Sequence, residues 1–252
     1  IARRQRQMCI RDRYNVYISS EIKKIIKTEN GLIWIATLGQ GFFIYDPKTE
    51  VLTQNSVQTS FVWDLCQSAD RKRVYISSLQ EGLLCFDENG KFLRTYEISL
   101  DINASDSYKV NCIQNIDGDI WIGAGSNLLS RLDERTEAID NYSGSAFNFG
   151  AVHCLLKYTD KELLVGTDNG LYLFDQNTNT FQRADNPADP RSLSDQTING
   201  MMWDAEGALW VLTNLGGINY MSKQTKRFDY YSPAYLSGVP GAGAVSYTHL
   251  TL

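Results

Sequence analysis

The chain has 252 residues, 43% of them hydrophobic and 12% aromatic, with a formal net charge of −5. That is enough apolar material for a large core, yet no apolar run approaches the ~20 residues that a membrane-spanning helix needs. An acidic balance also argues against nucleic acid as a partner, because neutralising phosphates takes a basic face.

The first segment, Ile1 to Arg13, is basic and shows no periodicity. It lacks the apolar stretch of a secretory signal. Together with the last segment, Ala244 to Leu252, it resembles translated sequencing-adapter read-through, so 1–13 and 244–252 are read as a non-native or disordered leader and tail. The leader carries five Arg and one Asp, and setting its +4 aside takes the formal −5 of the whole chain to −9 for the remainder. Residues 14–243 read as one repeat array without a second domain or a linker.

Within that array a cassette recurs five times. It opens on an apolar pair three residues apart: Ile22/Ile25, Val62/Leu65, Val110/Ile113, Val152/Leu155 and Ile198/Met201. Each such segment is too short for a helix and runs into a polar turn, which predicts a strand with an irregular start. A second strand follows, centred on Trp34, Tyr75, Trp121, Leu164 and Trp210, with steps of 41, 46, 43 and 46 residues. A third is usually led by Gly, as in Gly41-Phe42-Phe43-Ile44-Tyr45-Asp46, Gly82 to Asp87, Gly170 to Asp175 and Gly217 to Ser222. A weaker outer strand closes each copy, near Val51, Phe92, Ile139, Phe181 and Phe228. Four strands per unit at a period of roughly 40–50 residues predict an all-β fold, a β-propeller of about five four-stranded antiparallel blades. A closed seven-blade ring would need ~300 residues, so the expected assembly is an incomplete ring. Trp34, Trp121 and Trp210 stand in continuous apolar runs and are expected between blades. The third copy departs from the pattern, with Ser126-Asn127 in place of Gly and Arg131 inside its apolar run, and the second copy lacks both the turn Gly and the Trp.

Few residues suggest chemistry. Cys66, Cys85, Cys112 and Cys154 lack metal-ligand spacing and read as buried thiols. Asp117-Gly118-Asp119 and Asp204-Ala205-Glu206-Gly207 lack the remaining ligands of a calcium loop and read as turns. Gly39-Gln40-Gly41 precedes no helix and has no Lys placed for a phosphate. His153 opens an inner strand, with no nucleophile at a telling distance in sequence. Neither a cofactor nor a metal is expected.

The turn-Gly-Leu-Trp-Ile/Val-Gly-Thr core, the Gly-Leu-x-x-Phe/Tyr-Asp strand and Pro187-Ala188-Asp189-Pro190-Arg191-Ser192-Leu193-Ser194 resemble the two-component regulator propeller repeat, most closely over 187–213 and 163–175. That resemblance implies a fragment of the periplasmic sensor part of a Bacteroidetes hybrid two-component receptor. Its implied partners are missing propeller blades, downstream receptor domains and an oligosaccharide ligand, in a homodimeric parent without direct membrane contact by this part. The kinase would lie elsewhere in that parent, so the fragment is expected to be non-catalytic. Two alternatives stand beside it: a lyase similar to the streptogramin lyases, with His153 as base, and a propeller that binds other proteins. Propeller ligands commonly meet the segments joining an outer strand to the next inner one. Those segments place Trp63, Tyr108, Phe147, Phe149 and His153 as candidate ligand contacts, the aromatics suiting sugar rings.

Overall fold

The structure, a computed structural model, describes residues 16–55, 59–98, 109–125, 127–143, 148–189, 192–223 and 228–231. Tyr108, Phe147 and the two terminal segments set aside above lie outside those residues. The described strands form five four-stranded antiparallel sheets, each in sequence order. Blade A holds β1 (Glu21–Lys27), β2 (Ile33–Leu38), β3 (Phe42–Asp46) and β4 (Val51–Asn55). Blade B holds β5 (Val62–Gln67), β6 (Arg73–Ser78), β7 (Gly82–Asp87) and β8 (Phe92–Tyr96). Blade C holds β9 (Val110–Ile116), β10 (Asp119–Ala124), β11 (Leu128–Asp133) and β12 (Ile139–Ser143). Blade D holds β13 (Val152–Lys157), β14 (Glu162–Thr167), β15 (Gly170–Asp175) and β16 (Thr180–Arg183). Blade E holds β17 (Ile198–Trp203), β18 (Leu209–Thr213), β19 (Ile218–Met221) and β20 (Phe228–Tyr231). The chain divides into two compact units, Ile1–Ser143 with blades A to C and Gly144–Leu252 with blades D and E.

In the first unit the blades bury their faces on one another. Trp34, Ala36 and Phe42 of blade A pack with Val62, Leu65, Val74, Ile76, Leu84 and Phe86 of blade B. Tyr75, Leu83 and Cys85, alternate residues of blade B, pack instead with Val110, Ile113, Ile120 and Ile122 of blade C. The period of two along each strand thus feeds two different interfaces, which is why these strands read as continuous apolar runs rather than as alternating ones. In the second unit Leu164 and Leu171 of blade D meet Ile198, Leu209 and Val211 of blade E.

The irregular start of each inner strand is a β-bulge. In blade A, Ile22 pairs with Thr37 and Lys24 with Ala36, which leaves Lys23 without a cross-strand ladder partner. The same skip isolates Trp63 in blade B, Asn111 in blade C, His153 in blade D and Asn199 in blade E. One extra residue turns the strand period of two into a spacing of three, so both members of each apolar pair lie on one face. Val62, Leu65, Val110 and Ile113 are buried accordingly. Their counterparts in blade A, Ile22 and Ile25, are 46% and 56% exposed.

The departures in the repeat have local explanations. Asn127 occupies the left-handed region at φ 63°, the conformation Gly supplies elsewhere and the one Asn tolerates best among other residues. Arg131 pairs with Asp140 at 2.7 Å. Trp34 and Trp121 are buried as expected, but Trp210 is only half-buried. It lies on the opposite side of β18 from Leu209 and Val211, the residues that meet blade D. Its indole N–H donates to Asp204 Oδ2 at 2.9 Å, and Tyr220 packs edge-on at 4.8 Å.

Candidate functional site

The segments that enter each inner strand are pinned to the turns between second and third strands. In the first unit, Ser60 O accepts from Gly39 N at 2.8 Å and Gly41 N at 3.0 Å. Gly41 sits at φ +74°, and a Cβ there would come within 3.0 Å of the carbonyls of Asn55 and Thr59, so the turn closes only around glycine. Thr59 Oγ1 lies 2.7 Å from Ser78 Oγ, tying the same segment to blade B.

On this backbone stands Trp63, half-buried, with Lys23 Nζ 4.1 Å from its ring centroid. Lys23 also pairs with Glu21 at 3.0 Å. Next to them Lys24 pairs with Asp64 at 3.1 Å, and the second oxygen of Asp64 accepts from Ile113 N at 3.0 Å. Asp64 N donates to Ser77 Oγ at 2.7 Å. One carboxylate therefore joins three blades.

In the second unit Asp168, in the β14–β15 turn, plays the organising role. Its Oδ2 accepts from Ala151 N at 2.8 Å, and its Oδ1 lies 2.6 Å from His153 Nε2. Gly150, at φ +76°, leaves room for this, since a Cβ there would sit 2.7 Å from Asp168 Oδ2. Thr197 Oγ1 donates to Asp168 O at 3.2 Å, Asn214 N donates to Thr197 O at 2.9 Å, and Asn199 Nδ2 reaches Asn214 Oδ1 at 3.3 Å. Leu215 stands beside them, 82% exposed.

The sequence-predicted contacts thus fare differently. Trp63 and His153 are both bulge residues with accessible side chains. Phe149 has no free face: it is fully buried, packed on Tyr172 at 5.3 Å and Phe181 at 5.1 Å, and it serves the interior of blade D. Sequence reasoning passed over Lys23, Asn111 and Asn199, although the spacing of three in each apolar pair marks all of them.

A groove of about 360 Å³ lies at the other end of the strands, lined by Asp70, Arg73, Asp117, Asp119, Asp133 and Glu134 among others. Its acids are largely occupied: Glu134 accepts from Ala69 N at 2.8 Å and Asp70 from Ser68 Oγ at 2.6 Å, a bond that holds the Asp70 carboxyl below its usual range. Among the described residues no group of three His, Cys, Asp or Glu side chains is placed to hold a metal ion. None of Cys66, Cys85, Cys112 and Cys154 is in a disulfide, and burial raises the thiols of Cys66, Cys85 and Cys154, Cys85 to about 11 and Cys154 to about 12.

Sheets of four antiparallel strands in sequence order, packed face to face, define a propeller. The chain is similar in structure to the extracellular domain of a protein described as the hybrid two-component system BT3049 of B. thetaiotaomicron, with a TM-score of 0.68 and 23% identity over 86% of this chain. It is similar to that of BT4673 from the same organism, with a TM-score of 0.69 and 21% identity over 82%. The chain spans less than a third of those two, 29% and 28% of their lengths. The computationally designed protein Ika8 also matches, with a TM-score of 0.59 and 14% identity over 84% of this chain and 61% of that one. No family model matches the sequence, and no curated protein matches it.

Proposed function

We propose that the chain is a non-catalytic, ligand-sensing propeller segment of a periplasmic receptor in a hybrid two-component system, and that its ligand derives from carbohydrate. The observation that carries this reading is the fold likeness to the extracellular domains of BT3049 and BT4673 over most of the chain. The site agrees with it in kind. Trp63 offers an aromatic surface flanked by polar groups held in fixed positions, the composition of a small-molecule recognition site. In such a receptor the membrane segment and the kinase follow the propellers, and signalling passes to them.

The His153–Asp168 pair is the feature that favours a lyase. His153, however, occupies the same bulge position as Lys23, Trp63, Asn111 and Asn199. Its membership of a recurring position supports the non-catalytic reading over the lyase. The flanking genomic DNA tests the reading. A downstream membrane segment and histidine kinase in the same open reading frame are expected, and a stop codon after one complete ring would overturn the receptor assignment in favour of an enzyme.

A further inference from the structure

We infer that the bulged residue of each inner strand is the ligand-reading position of its blade, and that Lys23, Trp63 and Asn111 together take an uncharged, polyhydroxylated ring. The inference rests on the sensor reading above and adds which residues read the ligand and what charge it carries.

A bulge sacrifices ladder pairing at one residue and redirects that side chain. Here the sacrifice is repeated at the same place in five blades, while the residue that occupies it changes from Lys to Trp, Asn, His and Asn. None of the five side chains is buried, although the preceding residue is fully buried in four of the blades, as Val62, Val110, Val152 and Ile198. A bulge that served only the backbone would be filled as well by a small residue. Large, polar and aromatic groups at an accessible position instead suit contact with something outside the fold. In the first unit two of these residues from neighbouring blades already touch, with the Lys23 ammonium on the Trp63 ring.

The charge at this edge is internally balanced. Lys23 has Glu21 at 3.0 Å and Lys24 has Asp64 at 3.1 Å. Asp64 is further committed to the Ile113 N–H. An anionic ligand would have to displace Glu21 or Asp64 from its lysine and would be repelled by the carboxylate it displaced. A neutral ring pays no such desolvation or repulsion. It can stack on the indole while its hydroxyls exchange hydrogen bonds with the ammonium, the carboxylates and the Asn111 amide.

The test uses the whole 252-residue chain, probed by saturation-transfer NMR and titration calorimetry. The probes are neutral cello-, xylo- and manno-oligosaccharides, and the acidic set is oligogalacturonate and heparin-derived disaccharides. At least one neutral probe is expected to bind, with an affinity unchanged between about 20 and about 200 mM NaCl. Trp63→Ala and Asn111→Ala should each weaken it ~10-fold or more, with Trp63→Tyr retaining most of it as proof of an intact fold. Binding by acidic probes alone, weakening with salt, would overturn the inference and leave the sensor reading standing. Neutral binding indifferent to Trp63→Tyr, Trp63→Ala and Asn111→Ala would do the same. Failure of every probe would overturn the inference and the carbohydrate reading together.

Discussion

Replacing Trp34 by Ala is expected to cost about 2–4 kcal/mol, and the same change at Trp210 only about 1–2 kcal/mol. Trp34 is fully buried, stacked on Phe42 at 5.2 Å and edge-on to Phe86 at 6.3 Å. Removing a buried Trp normally costs ~3–5 kcal/mol, and the aromatic pairs push toward the upper end. Acting against this, the Trp34 Nε1–H is buried and has no acceptor among the described residues. An orphaned donor costs ~1–3 kcal/mol, which truncation relieves. The half-buried Trp210 has less apolar area to lose, and its N–H is already satisfied by Asp204. Trp34→Phe separates the two contributions, because it keeps a ring against Phe42 and deletes only the orphan donor with part of the volume. It should fall within ~1 kcal/mol of the parent. Urea denaturation at micromolar protein, followed by near-UV circular dichroism, measures all three. A Trp210→Ala cost equal to or above that of Trp34→Ala, or a Trp34→Phe variant as damaged as Trp34→Ala, would refute the placement of these indoles.

Asp204 gives a pH dependence of known sign. The hydrogen bond from Trp210 and those from the backbone of its turn depress its folded-state pKa, so its contribution is present above about pH 4 and is lost as pH falls through the lowered value. Asp204→Asn should flatten that part of the acid-denaturation profile, and an unchanged profile would contradict the assignment. The exposed apolar side chains Ile22 and Ile25 of blade A, and Met202 and Leu212 of blade E (57% and 48% exposed), should drive concentration-dependent association of the isolated chain. Ile25→Lys with Met202→Lys should shift size-exclusion profiles toward monomer without lowering the melting temperature, whereas a monodisperse parent would show that these faces are satisfied. The raised thiols of Cys85 and Cys154 should resist alkylation at neutral pH until the protein unfolds, since the thiolate is the reactive form. Rapid native-state labelling of either, mapped by mass spectrometry, would place it on a mobile or open surface.

The blades were legible because each is a local device. A strand centred on Trp, Tyr or Leu, a left-handed turn and an apolar third strand lie within some 20 residues of one another, and even the bulge left its mark as a spacing of three between apolar residues. What pattern could not give was which aromatic faces inward. Phe149 and Trp63 stand in comparable linking segments, yet Phe149 packs on Tyr172 and Phe181 while Trp63 occupies the bulge. That distinction depends on whether the residue falls before or after the first ladder pair. The His153–Asp168 and Lys24–Asp64 pairs join residues 15 and 40 positions apart. Such pairs arise only once the strands are in register, so composition and periodicity carry no trace of them. Trp210 departed from expectation because it lies on the opposite face of β18 from Leu209 and Val211, the residues that meet blade D, and the apolar run alone does not tell the two faces apart.

The bulge also separates two demands that usually compete within a single residue. A side chain in a regular ladder is judged by its cross-strand neighbour, so changing it disturbs the sheet. The bulged residue has no ladder partner, and apart from the His153–Asp168 contact the turns around it are closed chiefly by other groups, such as Thr37 Oγ1 on Gly41 O at 2.7 Å and Thr167 Oγ1 on Gly170 O at 2.8 Å. Its identity can therefore drift while the blade beneath stays folded. A descendant of this chain can acquire a new preference by single substitutions at five addresses, with no stabilising change needed first.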